Sequence, residues 1–358
     1  MKSDQEIIVK VDCRFFRGNM PCLPHKQQGV HCADCFHYQP VEKKILIIKL
    51  GAIGDLLRTT PLLRRLHKEF GGAEISWLTN YPEAVPAEVD RIYTFTTQDI
   101  LTLLVTSYDI VYNLDKDFEA CSLTNSLTAK EKKGFYLKNG ISSPIDKDAY
   151  HKWLTGLFDD VSKKNTKSYQ EEIFEICGFD YRKEEYILDQ PQSYFPDVRK
   201  KPFLIGLNTG CGGRWTTRLW PDEYWVELAQ KLAGNETEVI LLGGPMEHEK
   251  NEKIARVSGS TYLGYSSLEK FISLVGECDL VVTGVTMALH IAIGLKKKIV
   301  LMNNIFNKYE FELYNLGEII EPKIDCIGCY KTSCEKECMR LISPDEILQA
   351  CRGLLYGV

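Results

Sequence analysis

Short apolar runs, each closing on a glycine turn, recur along this chain and constrain its fold more than any other feature. The first is Ile45-Leu-Ile-Ile-Lys-Leu50. It is nearly continuous rather than alternating, as expected of a parallel strand covered on both faces. Gly51-Ala-Ile-Gly54 follows, and then a helix predicted from about Asp55 to Phe70. Strand-like runs return at 74–78, 91–95 and 109–114 with helix-like stretches between them, which is a βαβ series. Residues 140–200 are less regular, and Asp189-Gln-Pro-Gln-Ser-Tyr-Phe-Pro196 interrupts any regular element. A second series then runs through strand 203–208, helix 221–233, strand 238–242 and helix 247–257. It continues with helix 267–275, strand 279–283, helix 286–294 and strand 298–302. Ser343-Pro-Asp-Glu346 reads as a capping box with proline at the first helical position, opening a final helix over 344–355. Two tandem α/β units predict a ligand cleft facing the carboxyl ends of their strands.

The length agrees, since 358 residues suit two domains of roughly 150 each. The expected division is a Cys-rich segment over 1–43, α/β domains over 44–195 and 196–343, and a terminal helix over 344–358. A net charge of −5 gives no nucleic-acid footprint. The first ten residues are too polar for a signal peptide, and no apolar run approaches the ~20 residues of a spanning helix, so a cytoplasmic protein is expected.

Four glycine-containing turns carry candidate chemistry. In Gly51–Asp55 the turn joins strand to helix, and its exposed amides favour anions. Asp55 is either the cap of that helix or a general base at the cleft mouth. Asn208-Thr-Gly-Cys-Gly-Gly-Arg-Trp-Thr-Thr-Arg218 gathers glycines, hydroxyls and two arginines ahead of a helix, a phosphate-binding logic without the Walker pattern. Trp215 and Trp220 read as packing residues. In Gly243-Gly-Pro-Met-Glu247 the carboxylate could accept from a ribose or simply cap a helix. Thr283-Gly-Val-Thr286-Met287-Ala-Leu-His290 is a further strand-to-helix turn, and a lone histidine there reads as a satisfied structural residue.

Together these segments resemble the family 9 glycosyltransferases, the heptosyltransferase group of bacterial lipopolysaccharide assembly, over about residues 44–358. The resemblance rests on Ile45–Pro61 with Gly54-Asp55 and Thr60-Pro61, on Asn208–Pro221, on Gly243–Glu249, and on Ser267–Gly294 with Thr286 and His290. It implies a GT-B architecture, two Rossmann-like domains facing across a cleft. It further implies inverting transfer from ADP-heptose to a glycan or glycolipid acceptor at the inner membrane face, with no metal or cofactor needed for the chemistry. On this likeness Asp55 is the base and Lys49, Gly54 and Arg58 lie on the acceptor side. Thr209, Gly210, Arg218, Glu247, Thr286, Met287 and His290 serve the nucleotide sugar. Two positions depart from the family pattern. Val285 stands where relatives carry an aspartate, and Met302-Asn-Asn-Ile305 replaces a Phe-Gly-Pro-Thr-like turn. A different donor sugar, or a catalytically degenerate, metal-stabilised binding or scaffold protein, is therefore a rival expectation.

Thirteen cysteines include two sets of four: Cys13, Cys22, Cys32, Cys35 and Cys326, Cys329, Cys334, Cys338. Each set contains a C-x-x-C pair and suits a structural zinc ion or an iron–sulfur cluster, with His25, His31 and His37 as substitutes in the first. The rival is a set of reduced thiols. A redox protein built on an iron–sulfur centre is a third expectation.

Overall fold

The computed structural model describes residues 7–357, so residues 1–6 of the Cys-rich segment and residue 358 lie outside it. The chain forms two compact units. One comprises Met1–Leu50, Leu63–Pro82 and Ala87–Ile145; the other comprises Gly51–Leu62, Glu83–Pro86 and Asp146–Val358. Residues 146–195, grouped by the sequence with the first half, thus cluster with the second unit, as does the segment carrying Asp55.

The first unit is built on six strands: β1 (Lys43–Ile48), β2 (Ala73–Leu78), β3 (Arg91–Tyr93), β4 (Ser107–Asn113), β5 (Thr128–Lys138) and β6 (Ile141–Pro144). Their order is β3-β2-β1-β4-β5-β6, all parallel except the antiparallel β5–β6 hairpin. Ile45–Ile48 are wholly buried, as the unbroken apolar run requires. Leu46 and Ile48 pack with Leu78, Val111, Leu103 and Leu123. The hairpin is absent from the sequence expectation because the charged opening of β5, Thr128-Ala-Lys-Glu-Lys-Lys133, lacks apolar alternation, although its turn, Asn139-Gly140 with both residues at positive φ, carries a two-residue hairpin signal.

In the second unit β7 (Phe203–Asn208), β8 (Thr237–Leu242), β9 (Leu280–Gly284), β10 (Lys298–Met302) and β11 (Gly317–Ile320) form a parallel sheet of order β11-β10-β9-β7-β8. Trp220 and Trp225 meet edge to face at 4.9 Å within its core, and the Trp220 indole donates to the carbonyl of Ile342 at 2.9 Å. Trp215 likewise packs, edge to face with Phe306.

Chain order gives the helices α1 (Leu23–Gln28), α2 (Ile53–Leu57), α3 (Pro61–Glu69), α4 (Thr97–Val105), α5 (Phe118–Ser126), α6 (Tyr150–Thr155) and α7 (Asp159–Lys164). They continue as α8 (Tyr169–Ile176), α9 (Asp222–Leu232), α10 (His248–Ser258), α11 (Leu268–Glu277), α12 (Met287–Gly294) and α13 (Pro344–Tyr356). The single helix expected over 55–70 is two. Pro61 disfavours the helical state at Thr60 and cannot donate to a preceding carbonyl, so α2 stops and proline restarts the chain as α3. The irregular stretch 140–200 in fact holds α6, α7 and α8. The last begins with a reciprocal Ser168–Glu171 capping box. At α13 Ser343 caps the amide of Glu346 at 3.2 Å, with Pro344 in the first turn. No helix of the described residues is long and apolar enough to cross a membrane.

Candidate active site

Within the second unit, the ends of β7, β8 and β9 release the chain into glycine turns around a pocket of about 430 Å³. Asn208, Gly210, Gly243, Glu247, Thr286 and Met287 line it, together with Arg218 and Ile53. A pocket at strand carboxyl ends, framed by helix starts, has the features of an anion-binding crevice.

Among the pocket's glycines, Gly210 is the most closely approached. A Cβ there would fall 2.2 Å from Cδ of Glu247, so only glycine lets the carboxylate lie across the turn. Glu247 in turn accepts from the Gly244 amide at 3.0 Å. Thr286 stands at the N-cap position of α12 without a side-chain cap bond; its hydroxyl instead accepts from Nδ2 of Asn208 at 3.1 Å and lies 3.1 Å from the Thr283 hydroxyl. Thr209 is placed differently from the expectation for a diphosphate ligand. It is buried, its hydroxyl donates to Oδ1 of Asn251 at 2.5 Å, and it is absent from the pocket lining.

Arg218 reaches the pocket from the loop before α9. Its guanidinium donates to the carbonyls of Cys211 (2.8 Å), Trp215 (3.3 Å) and Val285. Burial pulls its pKa below the ordinary value. A desolvated cation held by neutral carbonyls and lying 5.3 Å over the Phe306 ring, with no carboxylate among these partners, is a strong site for an incoming anion. Val285, the departure from the family pattern, contributes its carbonyl to this brace.

Helix α2 packs against α12 in the same unit. Gly54 lies over His290, leaving no room for a side chain. Its N-cap is Ala52, so Asp55 is not the cap but a first-turn residue, two beyond the pocket-lining Ile53. The Asp55 side chain retains 36% of its exposure and pairs with Arg58 at 2.8 Å. Arg58 also stacks on the Tyr169 ring at 3.6 Å. Burial opposes its charge, but Asp55 and the ring of neighbours around it raise its pKa overall.

His290 is buried, and its Nδ1 lies 3.2 Å from the hydroxyl of Tyr186. Burial, aided by Arg58 and opposed by Asp55, lowers its pKa to about 3. It is therefore neutral at physiological pH, does not line the pocket, and supports α2 from below. Tyr186, 104 positions away in the chain, went unrecognised, because no local pattern announces so distant a partner. Ser266 and Phe271 at the pocket wall were missed too.

In the first unit, Lys49 is buried in an ion pair with Asp115, which also accepts the amide of Leu50. Burial raises the pKa of Asp115 despite that partner.

All thirteen cysteines are free thiols. Among the described residues no group of three or more His, Cys, Asp or Glu side chains stands as a ready ligand set for one metal ion. Cys13, Cys22, Cys32 and Cys35 nevertheless line one cavity. Cys326 and Cys334 are exposed; Cys329 is half-buried, and Cys338 accepts from Nδ2 of Asn304 at 3.3 Å.

The family model of glycosyltransferase family 9 (heptosyltransferase) matches residues 100–304, a span that takes in the pocket turns but stops short of Asp55. Lipopolysaccharide heptosyltransferase 2 of Salmonella typhimurium is 28% identical over 104 residues, or 27% of this chain. The match spans 30% of that relative's length. A family 9 glycosyl transferase from Veillonella parvula superposes with a TM-score of 0.68 at 17% identity, covering 88% of this chain and 98% of that one. The E. coli ADP-heptose lps heptosyltransferase II gives 0.66 at 18%, covering 88% and 99%. At such identities the structural likeness is one of fold.

Proposed function

This chain belongs to glycosyltransferase family 9 (heptosyltransferase), and on that premise we propose that it is an inverting transferase moving heptose from ADP-heptose onto a glycan acceptor such as lipopolysaccharide core. The observation that carries the reading is the pocket at the ends of β7, β8 and β9, where glycine turns, a braced arginine and a carboxylate meet.

In the proposed reaction the glycine turns at Gly210 and Gly243 admit the diphosphate, and Glu247 accepts from the ribose hydroxyls. Asp55 takes the proton of the acceptor hydroxyl as its oxygen attacks the anomeric carbon. The bond from that carbon to the diphosphate oxygen breaks, and ADP leaves with the electron pair. Negative charge grows on the diphosphate beside Arg218, whose guanidinium is already desolvated and oriented, so little reorganisation is needed. The transition state is oxocarbenium-like by analogy with glycoside chemistry. Arg58 fixes the rotamer of Asp55 through their 2.8 Å ion pair. Burial holds the His290 pKa down to about 3, which makes it a weak proton acceptor and favours Asp55 for proton removal. Arg58, beside Asp55, is assigned to the acceptor side, whereas Lys49 is buried against Asp115 and is given no part in the reaction. The proposed setting is a cytoplasmic protein working at the inner membrane face.

Incubation with ADP-heptose and a heptose-deficient core oligosaccharide tests this. Acceptor-dependent ADP release and a product one heptose heavier are expected. A second reading, favoured by Val285, is a family member that binds a nucleotide sugar without transferring it. Saturable ADP-heptose binding with no product, unaffected by Asp55→Ala, would establish that reading, whereas turnover with another nucleotide sugar would reassign the donor.

A further inference from the structure

The N-terminal segment is ordered without a core of its own. Across residues 7–42 only Pro24 is buried. Ile7, Val11, Met20, Leu23 and Phe36 are all more than half exposed. Its backbone pairing is slight: a Cys13–Pro40 bridge, flanking bonds from the Arg14 amide to the Gln39 carbonyl and from the Val41 amide to the Asp12 carbonyl, and one bond from the Glu42 amide to the Gly72 carbonyl at 3.0 Å. Arg14 fixes one end to the sheet of its unit through Asp90 at 2.5 Å and the Ala73 carbonyl at 2.7 Å. Such a segment cannot offset the entropy of ordering its backbone by apolar burial, and small domains in that position rely on disulfides or a metal. Disulfides are absent, since all four thiols are free.

The four thiols come from four different local structures. Cys13 lies in the bridge, Cys22 precedes α1, and Cys32 and Cys35 bound a single 3₁₀ turn. All four line the same cavity of about 180 Å³, walled by Ile8, Phe15 and Phe16 among others. His25 and His31 touch it too, but the His25 Nδ1 is engaged with the Val30 carbonyl at 2.9 Å. We propose that Cys13, Cys22, Cys32 and Cys35 form a four-thiolate site for a thiophilic metal centre that holds this segment in place, independent of the transferase pocket. The shared chemistry is tetrahedral thiolate donation, which serves a zinc ion or an iron–sulfide cluster. The thiols line the cavity without being drawn together on one point, and binding closes them onto the centre.

The full chain, purified anaerobically, is assayed for zinc, iron and acid-labile sulfide per chain and by visible absorbance. Cys326→Ser/Cys329→Ser serves as the background, so that the C-terminal thiols do not contribute. One zinc per chain in a colourless protein, or matched iron and sulfide with broad visible absorbance, supports the site and identifies its occupant. Adding Cys32→Ser/Cys35→Ser is expected to abolish that content. Since these variants could fold poorly, wild-type protein is also treated with iodoacetamide before and after chelation. The four N-terminal cysteines are expected to resist modification at first, then react, and regain protection when the metal is restored. Absence of stoichiometric metal, or equal alkylation with and without chelator, overturns the proposal.

Discussion

The Cα of Gly54 rests against the imidazole of His290: a Cβ built on Gly54 would lie 2.7 Å from Cδ2 of that ring. The close approach of α2 to α12 therefore depends on a missing side chain. Asp55 is the next residue. We expect Gly54→Ala to cost about 1–3 kcal/mol by overpacking. Because α2 must shift, transfer should fall by roughly 10- to 100-fold while ADP affinity stays within about twofold. Thermal unfolding, kcat and calorimetric Kd measured on one preparation check this.

His290 makes stability depend on pH. Its folded pKa is about 3, whereas an unfolded histidine titrates near 6.5. Above pH 6.5 it is neutral in both states and contributes no pH dependence. As the pH falls from there toward 3, only the unfolded chain gains the proton, and stability declines by on the order of a few kcal/mol. His290→Gln is expected to flatten that part of the profile, as read from urea midpoints at a series of pH values.

Much of this arrangement was legible in the sequence, and what was not has physical reasons. Ile45–Leu50 announced a buried parallel strand because both faces are apolar, and the structure buries it. The turns at Gly210, Gly243 and Thr286 were readable as neighbours because each closes a strand, and the structure places all three on one pocket. Thr209 was not readable as a packing residue, since its partner Asn251 lies a helix away. The α2–α3 break was readable from Pro61, although the apolar period runs across it. Capping at Ser168–Glu171 was equally available, but the lysine-rich surroundings masked α8. Tyr186 beneath His290 is a long-range contact with no local signature.

Glu247 and Gly210 should behave as a coupled pair. Gly210→Ala drives a methyl to within 2.2 Å of the Glu247 carboxylate carbon and is expected to weaken ADP binding by at least about 10-fold. Glu247→Ala alone loses the hydrogen bonds assigned to ribose, an effect of about 1–3 kcal/mol. The double variant should bind no worse than Glu247→Ala, because the clash disappears with the side chain. Calorimetric titration of all three with ADP decides whether the effects are less than additive.

Arg218 is braced by backbone carbonyls, so replacing it affects the loop as well as the ligand. We expect Arg218→Ala to raise the Kd for ADP by roughly 10- to 100-fold, with a smaller effect on adenosine, which lacks the diphosphate. Arg218→Lys should recover part of the charge but not the three-carbonyl brace. Equal losses for ADP and adenosine would assign Arg218 to loop support alone.

The most direct test of Asp55 as the base is single-turnover transfer from ADP-heptose to a core oligosaccharide by wild type, Asp55→Asn and Asp55→Ala, with donor affinity measured alongside. Removing a positioned base should slow transfer by about 10²–10⁴-fold. Donor affinity should stay within about twofold, since Asp55 is outside the pocket lining. Transfer by Asp55→Asn at a rate near wild type would contradict the assignment.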